Sequence, residues 1–250
     1  MFNKRHIVRT IAATVSILAL SFTAACGSGQ STASNSTDSD DITQQTYKPG
    51  KLTIATGQPA YEPWVMNDKP ESGEGYEAAV AYAVADKLGF KKSDVVWTRT
   101  AFDTAIAPGA KDWDFNIQQF GITDERKKAV DFSSSYYNDS QSVVVKKDSK
   151  FANATKVSDL KDATVGVMVG TLAYDYAKAN IKDDIQTFND DAALAQALDA
   201  GQIDVLVTST VECVYMVQSE QVKDSKVLGR LPDSEDKGGM GIVLPKDSKL

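Results

Sequence analysis

Histidine and cysteine are almost missing from this chain. The one histidine is His6, and the two cysteines are Cys26 and Cys213. Beyond residue 26 no imidazole remains, which removes the base of a Ser-His-Asp or Cys-His nucleophile and any histidine metal site. A single further thiol makes neither an internal disulfide nor a thiolate cluster. No metal and no cofactor is expected. Long apolar runs are also lacking, for residues 11–22 are too few to span a bilayer as a stable helix. Positive charge is scarce, with 27 Lys and Arg against 34 Asp and Glu and a formal net charge of -7. No basic stripe is interleaved with aromatics, so nucleic acid is a poor partner.

What is present begins with an export signal over residues 1–25. Lys4, Arg5 and Arg9 precede the apolar run, and "FTAAC" ends it in small residues before Cys26. Removing those three cations takes the formal charge from -7 to -10. The small residues directly before Cys26 resemble a bacterial lipobox, which implies a lipidated Cys26 as the new N-terminus. Thr23 stands where an aliphatic residue is usual, and simple secretion with a spare thiol is the alternative. Residues 27–45, "GSGQSTASNSTDSDDITQQ", are polar and of low complexity, so residues 26–47 read as a lipidated cysteine and a tether. A flexible coil of roughly twenty residues spans about 25 Å.

From Lys51 strands and helices alternate. "KLTIAT", "DVVWTRT", "DFNIQQF" and "QSVVVKK" read as strands, with "GYEAAVAYAVADKLGF", "AFDTAIAPG" and "TDERKKAV" as helices between them. The pattern restarts at "ATVGVMV" and continues through "GTLAYDYAKAN", "DIQTF", "DDAALAQALDAG", "IDVLVTS" and "TVECVYMVQSE". Two parallel-rich α/β units follow from this. One match links them: "AIAPGAKDWDFNIQQ" and "ALDAGQIDVLVTS" place Asp114 with Asp204, Gln118 with Thr208 and Gln119 with Ser209. In open α/β sheets the crevice beyond the carboxyl ends of the strands holds ligands, so two facing units put both polar strand ends into one cleft.

The stretch "WDFNIQQFGITDERKKAVDFSSSYY" ends an apolar run in two amides, a glycine and a lone arginine. Gly121 lets a small anion approach main-chain N–H groups, and Arg126 can add a forked pair to a carboxylate. Two readings stay open on spacing alone: a carboxylate grip, or an Arg126 that pairs with Asp124 or Asp131 on a solvated helix. Trp64 and Cys213 read as packing residues.

The same stretch resembles the signature region of the polar amino acid solute-binding proteins of bacterial ABC transporters, with "IT", "ER", "K" and "DFS…YY" in family order. "ATGQPAYEPW", "GYEAAVAYAVADKLG", "VSDLKDATVGVMVGTLAYDYAKAN" and "ALDAGQIDVLVTS" are similar to other parts of that family, so the likeness extends from Lys51 to about Lys246. It implies an α/β fold of the periplasmic-binding-protein type II kind: two lobes, a ligand cleft between them and a hinge of two crossing segments. Lobe 1 is expected over residues 48–139 and 240–250, truncated at its C-terminus, and lobe 2 over 140–239. Carried over residue by residue, the ligand aromatics fall on Tyr61 and Phe102 and the α-carboxylate clamp on Gln118, Gln119, Gly121 and Arg126. The second lobe contributes Met168, Thr171, Leu172 and Ser209.

Departures narrow the reading. Ser209 stands where the family usually has the aspartate that takes the ligand ammonium, which leaves Glu62, Glu77 or Glu212 to supply the charge, or a ligand without a free α-ammonium. Gly57 replaces a frequent acid, and Met168 replaces a polar or cationic residue, which argues against a second carboxylate on the ligand. The resemblance implies a monomeric, lipid-anchored importer subunit that delivers an amino acid to an ABC permease with its ATPase on the outer face of the cell membrane. The alternatives are an exported enzyme on the same fold, such as a dehydratase of carboxylates, or a tethered sensor or adhesin.

Overall fold

The computed structural model describes residues 41–250; the expected export signal, Cys26 and most of the expected tether lie outside the described residues. The chain is already folded at Asp41, whose side chain caps a short turn at Ile42–Gln44, and Thr46 is buried.

Two five-stranded sheets carry the fold. The first is built from β1 (Leu52–Thr56), β2 (Val95–Arg99), β3 (Phe115–Asn116), β4 (Asp131–Tyr137) and the late strand β10 (Met240–Leu244). The second is built from β5 (Gln141–Lys146), β6 (Val165–Met168), β7 (Gln186–Phe188), β8 (Val205–Ser209) and β9 (Ser225–Arg230). Their orders, β2-β1-β3-β10-β4 and β7-β6-β8-β5-β9, are the same plan written twice. In each, the first three strands are parallel, and the fourth, which has just crossed from the other sheet, runs antiparallel to both neighbours.

Helices cover the sheets because their small and branched residues face inward. On α1 (Tyr76–Lys87) Ala78, Ala81 and Ala85 recur at helical spacing and are buried; Ala81 and Ala85 lie against Leu52, Ile54 and Phe115, and Ala78 against Ala60 and Val65. The helix begins after Gly75 and stops before Gly89, whose φ of 88° suits glycine just past a helix end. The short α2 (Phe102–Ile106) closes the opposite face, beside Trp113, Phe120 and Val130. In the second lobe α3 (Leu172–Asn180) buries Ala173 and Ala177 against Val165, Val167 and Val207. On the other face α4 (Asp191–Asp199) and α5 (Thr210–Gln218) pack Leu194, Leu198 and Met216 with Leu206. Cys213 is fully buried among them. Parallel strands covered on both faces read as apolar runs rather than as alternation.

The sequence match between the halves has a physical meaning. Asp114 Oδ2 accepts a hydrogen bond from the Thr53 amide at 2.7 Å while its own amide donates to the Thr53 carbonyl at 2.8 Å. Asp204 does the same to Thr164, at 2.8 Å and 2.9 Å. Each aspartate therefore brackets the start of the neighbouring parallel strand and fixes its register. Asp114 also accepts from the Tyr47 amide at 2.5 Å, which pins the segment before β1 to the first sheet.

Several elements differ from expectation. "DFSSSYY" and "SKVLGR" are strands, and with the crossing strands they make both sheets mixed rather than parallel-rich. β3 stops at Asn116, so Gln118 to Phe120 leave the sheet, and "TDERKKAV" forms one 3-10 turn at Arg126–Lys128 instead of a helix. Serine-rich β4 shows little apolar alternation because most of its residues are only partly covered.

Asp114→Ala should cost about 2 kcal/mol, because a charge-assisted bond is lost and two main-chain donors lose their acceptor. Urea unfolding measures it, and a loss under about 0.5 kcal/mol would show that the bracket does not hold the strand.

Candidate functional site

All ten side chains or backbones singled out as ligand residues line one cavity where the two sheets present their strand ends. Its empty volume is about 600 Å³, open solvent at the mouth included.

The first lobe supplies an aromatic and cationic wall. Arg126 Nη1 donates to the Gly121 carbonyl at 2.7 Å, and Nη2 donates to the Gly170 carbonyl of the second lobe at 2.9 Å. Its guanidinium carbon lies 5.5 Å from the centroid of Phe102, which stacks on Phe120 at 4.6 Å. Burial pushes the Arg126 guanidinium below its ordinary value, with the charges of Asp175 and Asp236 pulling the other way. The solvated-helix alternative fails, because Asp124 pairs with Lys127 at 3.3 Å and Asp131 with Lys246 at 2.7 Å. Among the described residues no carboxylate lies within 4.0 Å of the guanidinium. Half-buried arginine normally carries such a partner, so this one has capacity left for a ligand anion.

Gly121 gives Leu172 of the second lobe room to approach. A Cβ there would stand 2.5 Å from Leu172 Cδ1 and 3.5 Å from Arg126 Nη1. Gln118 is nine-tenths buried, and its Oε1 has no partner. A side chain at Gly57 would come within 2.7 Å of Gln118 Nε2, so the missing acid at position 57 goes together with the glutamine that fills its space. Gln119 adopts a left-handed φ of 49°. Glu77 holds it there, accepting from the Gln119 amide at 2.8 Å, from Gln119 Nε2 and from the Tyr136 hydroxyl. Glu77 therefore stands behind the cavity rather than in it. Burial raises its carboxyl to about 7 against the pull of those donors. The loop carrying Tyr61 is braced by Arg99, which donates to the Gly57 carbonyl at 2.7 Å and pairs with Asp68 at 2.5 Å.

The second lobe closes the other side. Thr171 Oγ1 accepts from the Tyr174 amide at 3.2 Å as the cap of α3, with Met168 and Leu172 beside it. Ser209 Oγ likewise caps α5, accepting from the Glu212 amide at 3.2 Å. Three acids sit in the lining with them: Glu212, Asp191 and Asp236. Burial first, then the charge of Asp191, pushes Glu212 up. Burial raises Asp191 to about 6, helped by Asp190, and Asp236 to about 6, helped by Asp139 and opposed by Arg126. Glu62 is not in the lining; it accepts from the Tyr215 hydroxyl at 2.5 Å.

Asp191, Asp236 and Gln141 escaped the sequence reading, whereas Thr208, matched with Gln118 at a polar strand end, lies in the lining. Asp191 looks like a first-turn acid, yet Asp190 already caps α4 by accepting from the Ala193 amide at 2.8 Å. A doubled aspartate at a helix start was the available signal. Trp64 does more than pack: its Nε1 donates to Glu212 Oε1 at 2.7 Å, and the Ala192 amide donates to the Tyr61 hydroxyl at 3.2 Å. With Arg126 to Gly170 and Tyr215 to Glu62, these bonds join the lobes across the cavity. Among the described residues no cluster of three His, Cys, Asp or Glu can hold a metal, and no helix is long and apolar enough to cross a membrane.

Glu77, Asp191 and Asp236 all have folded values above their unfolded ones. Their share of stability is complete below the unfolded values and is lost as pH rises through about 6 to 7. Surface acids held low by partners, such as Asp131 and Asp199, oppose this only below their ordinary range. The ligand-free protein should therefore melt higher at about pH 5 than at about pH 7.5, and a melting temperature that rises over that interval would contradict the assignment.

The family model of the bacterial extracellular solute-binding proteins, family 3, matches residues 52–184. A glutamine-binding protein of Geobacillus stearothermophilus is 31% identical over 225 residues, covering 82% of each chain. Among solved structures, an ancestral arginine-binding protein bound to arginine superposes with a TM-score of 0.67 at 30% identity, covering 79% of this chain and 85% of that one. The ancestral amino acid-binding protein AncCDT-1, described as a precursor of cyclohexadienyl dehydratase, gives a TM-score of 0.65 at 28% identity, with 79% and 83% covered. Two α/β lobes with their polar strand ends around one cavity agree with that family model, and the chain belongs to the bacterial extracellular solute-binding proteins, family 3.

Proposed function

We propose that this chain captures a polar amino acid between its lobes and delivers it to an ABC permease with its ATPase. In this reading Cys26 carries a palmitate-type lipid that holds a monomer on the outer face of the cell membrane. The observation that carries the ligand assignment is Arg126, a guanidinium inside the cavity whose protein partners are carbonyls alone. The ligand's carboxylate takes the remaining N–H groups, with Phe102 below and Tyr61 at the lid. Gln118, Gln119, Gly121, Met168, Thr171, Leu172 and Ser209 complete the cage. Micromolar capture corresponds to about -8 kcal/mol, within reach of one forked ion pair, a few hydrogen bonds and an aromatic cover.

Opening requires a hinge, and the two crossings supply it. They run from Tyr137 to Gln141 and from Arg230 to Met240, and the Asp236 amide donates to the Asp139 carbonyl at 2.9 Å, so they move together. Gly239 has a φ of 67°, a conformation that few other residues take without strain. Opening breaks the bonds from Trp64, Tyr61, Arg126 and Tyr215, and a bound ligand holds them made.

A second reading is an exported enzyme. Carboxyls held near neutrality inside the cavity, Asp191 and Asp236, can give or take a proton, and one relative is described as a precursor of a dehydratase. Mass spectrometry of the ligand after prolonged incubation separates the two, since a carrier returns it unchanged.

Arg126→Ala should weaken amino acid binding by more than about 2 kcal/mol, because it strands a desolvated carboxylate. Calorimetric titration gives the value, and an unchanged affinity removes Arg126 from the site. Trp64 is the tryptophan whose indole bridges the lobes, so Trp64→Phe should abolish the fluorescence change on ligand addition. A change that survives in the variant would mean that Trp97 or Trp113 senses the ligand and that the bridge does not report closure.

A further inference from the structure

Arg126 accounts for the ligand's carboxylate, and the rest of the cavity is acidic. Asp191, Glu212 and Asp236 line it and are 8%, 4% and 8% exposed. Their protein partners inside the site are neutral. Thr208 Oγ1 donates to Asp191 at 3.3 Å, Trp64 Nε1 to Glu212 at 2.7 Å and Gln141 Nε2 to Asp236 at 3.4 Å. Two of those bonds lie beyond the usual hydrogen-bond range, so Asp191 and Asp236 are only weakly satisfied. Among the described residues none of the three has a lysine or arginine nitrogen within 4.0 Å, and Arg126 is the sole cation in the lining.

An independent observation points the same way. Gln118 is 9% exposed, lines this cavity, and its Oε1 has no partner. An amide oxygen only accepts, so the unfilled capacity it adds to the cavity is acceptor capacity. Ser209 cannot supply charge and is already engaged as the cap of α5. Negative charge enters instead from α4 through Asp191 and from the first turn of α5 through Glu212.

We infer that the ligand is an amino acid with a cationic side chain, its α-carboxylate on Arg126, one of its two cations between Asp191 and Glu212, and the other at Asp236. This rests on the capture function proposed above and names its substrate class. The lining holds one guanidinium and three carboxylates. A zwitterion brings no net charge and leaves the buried acids uncompensated, and an acidic ligand adds to the imbalance. A ligand with one net positive charge reduces it, and a cation beside a buried carboxylate favours the ionised form.

Calorimetric titration of the mature chain with L-arginine, L-lysine, L-citrulline and L-glutamine tests this. Citrulline matches arginine in length and shape but carries a neutral urea in place of the guanidinium. Arginine or lysine should bind roughly a hundredfold tighter than citrulline and glutamine, the scale expected for a desolvated charge pair. Citrulline or glutamine binding as tightly as the cations would overturn the substrate class and leave amino acid capture standing. No binding by any of the four would overturn both. Asp191→Asn should lower affinity for the cation at least about tenfold and leave citrulline within about threefold. Equal loss for both ligands would mean that Asp191 only packs, and the assignment would fall. Asp236→Asn makes the same comparison from the second crossing if the first variant does not fold.

Discussion

A guanidinium without a carboxylate is the constraint around which the cleft is built. Arg126 rests against Phe102, bonds a carbonyl in its own lobe and bonds another across the gap. Burial disfavours its charge, and a buried charge left uncompensated is costly. The surroundings follow from that demand. Phe120 supports Phe102 from behind, Gly121 lets Leu172 approach, and Glu77 fixes the strained Gln119 that precedes them.

The scaffold that holds this constellation is one plan used twice. An aspartate brackets a parallel strand, the strand leads to a polar end, and the next sheet is entered by an antiparallel crossing. Because both lobes obey it, their polar strand ends face each other. The bonds that join them are few and local, from Tyr61, Trp64, Arg126 and Tyr215. Lobes held by a handful of hydrogen bonds and two linked crossings can part without disturbing either core, which is what capture and release require.

Much of this was legible in the residues. The alternation of apolar runs gave most strands and helices, and the match of Asp114 with Asp204 foretold the repeated plan. The ten cavity residues came from a family likeness; spacing alone left Arg126 undecided between two roles. What stayed hidden had physical reasons. β4 and β9 are only partly covered, so neither periodicity nor an apolar run marks them. Asp191 and Asp236 sit in acidic stretches whose solvated neighbours look alike, and only the fold decides which carboxylate turns inward. Trp64 read as packing because its partner, Glu212, is 148 residues away.

The central claim is that Arg126 is completed by a ligand carboxylate between the lobes. A crystal structure of the protein with its tightest-binding amino acid tests it most directly. The account predicts both carboxylate oxygens at about 3 Å from Arg126 nitrogens, with the lobes closed over them. An amino acid bound elsewhere, or bound with its carboxylate away from Arg126, would contradict it.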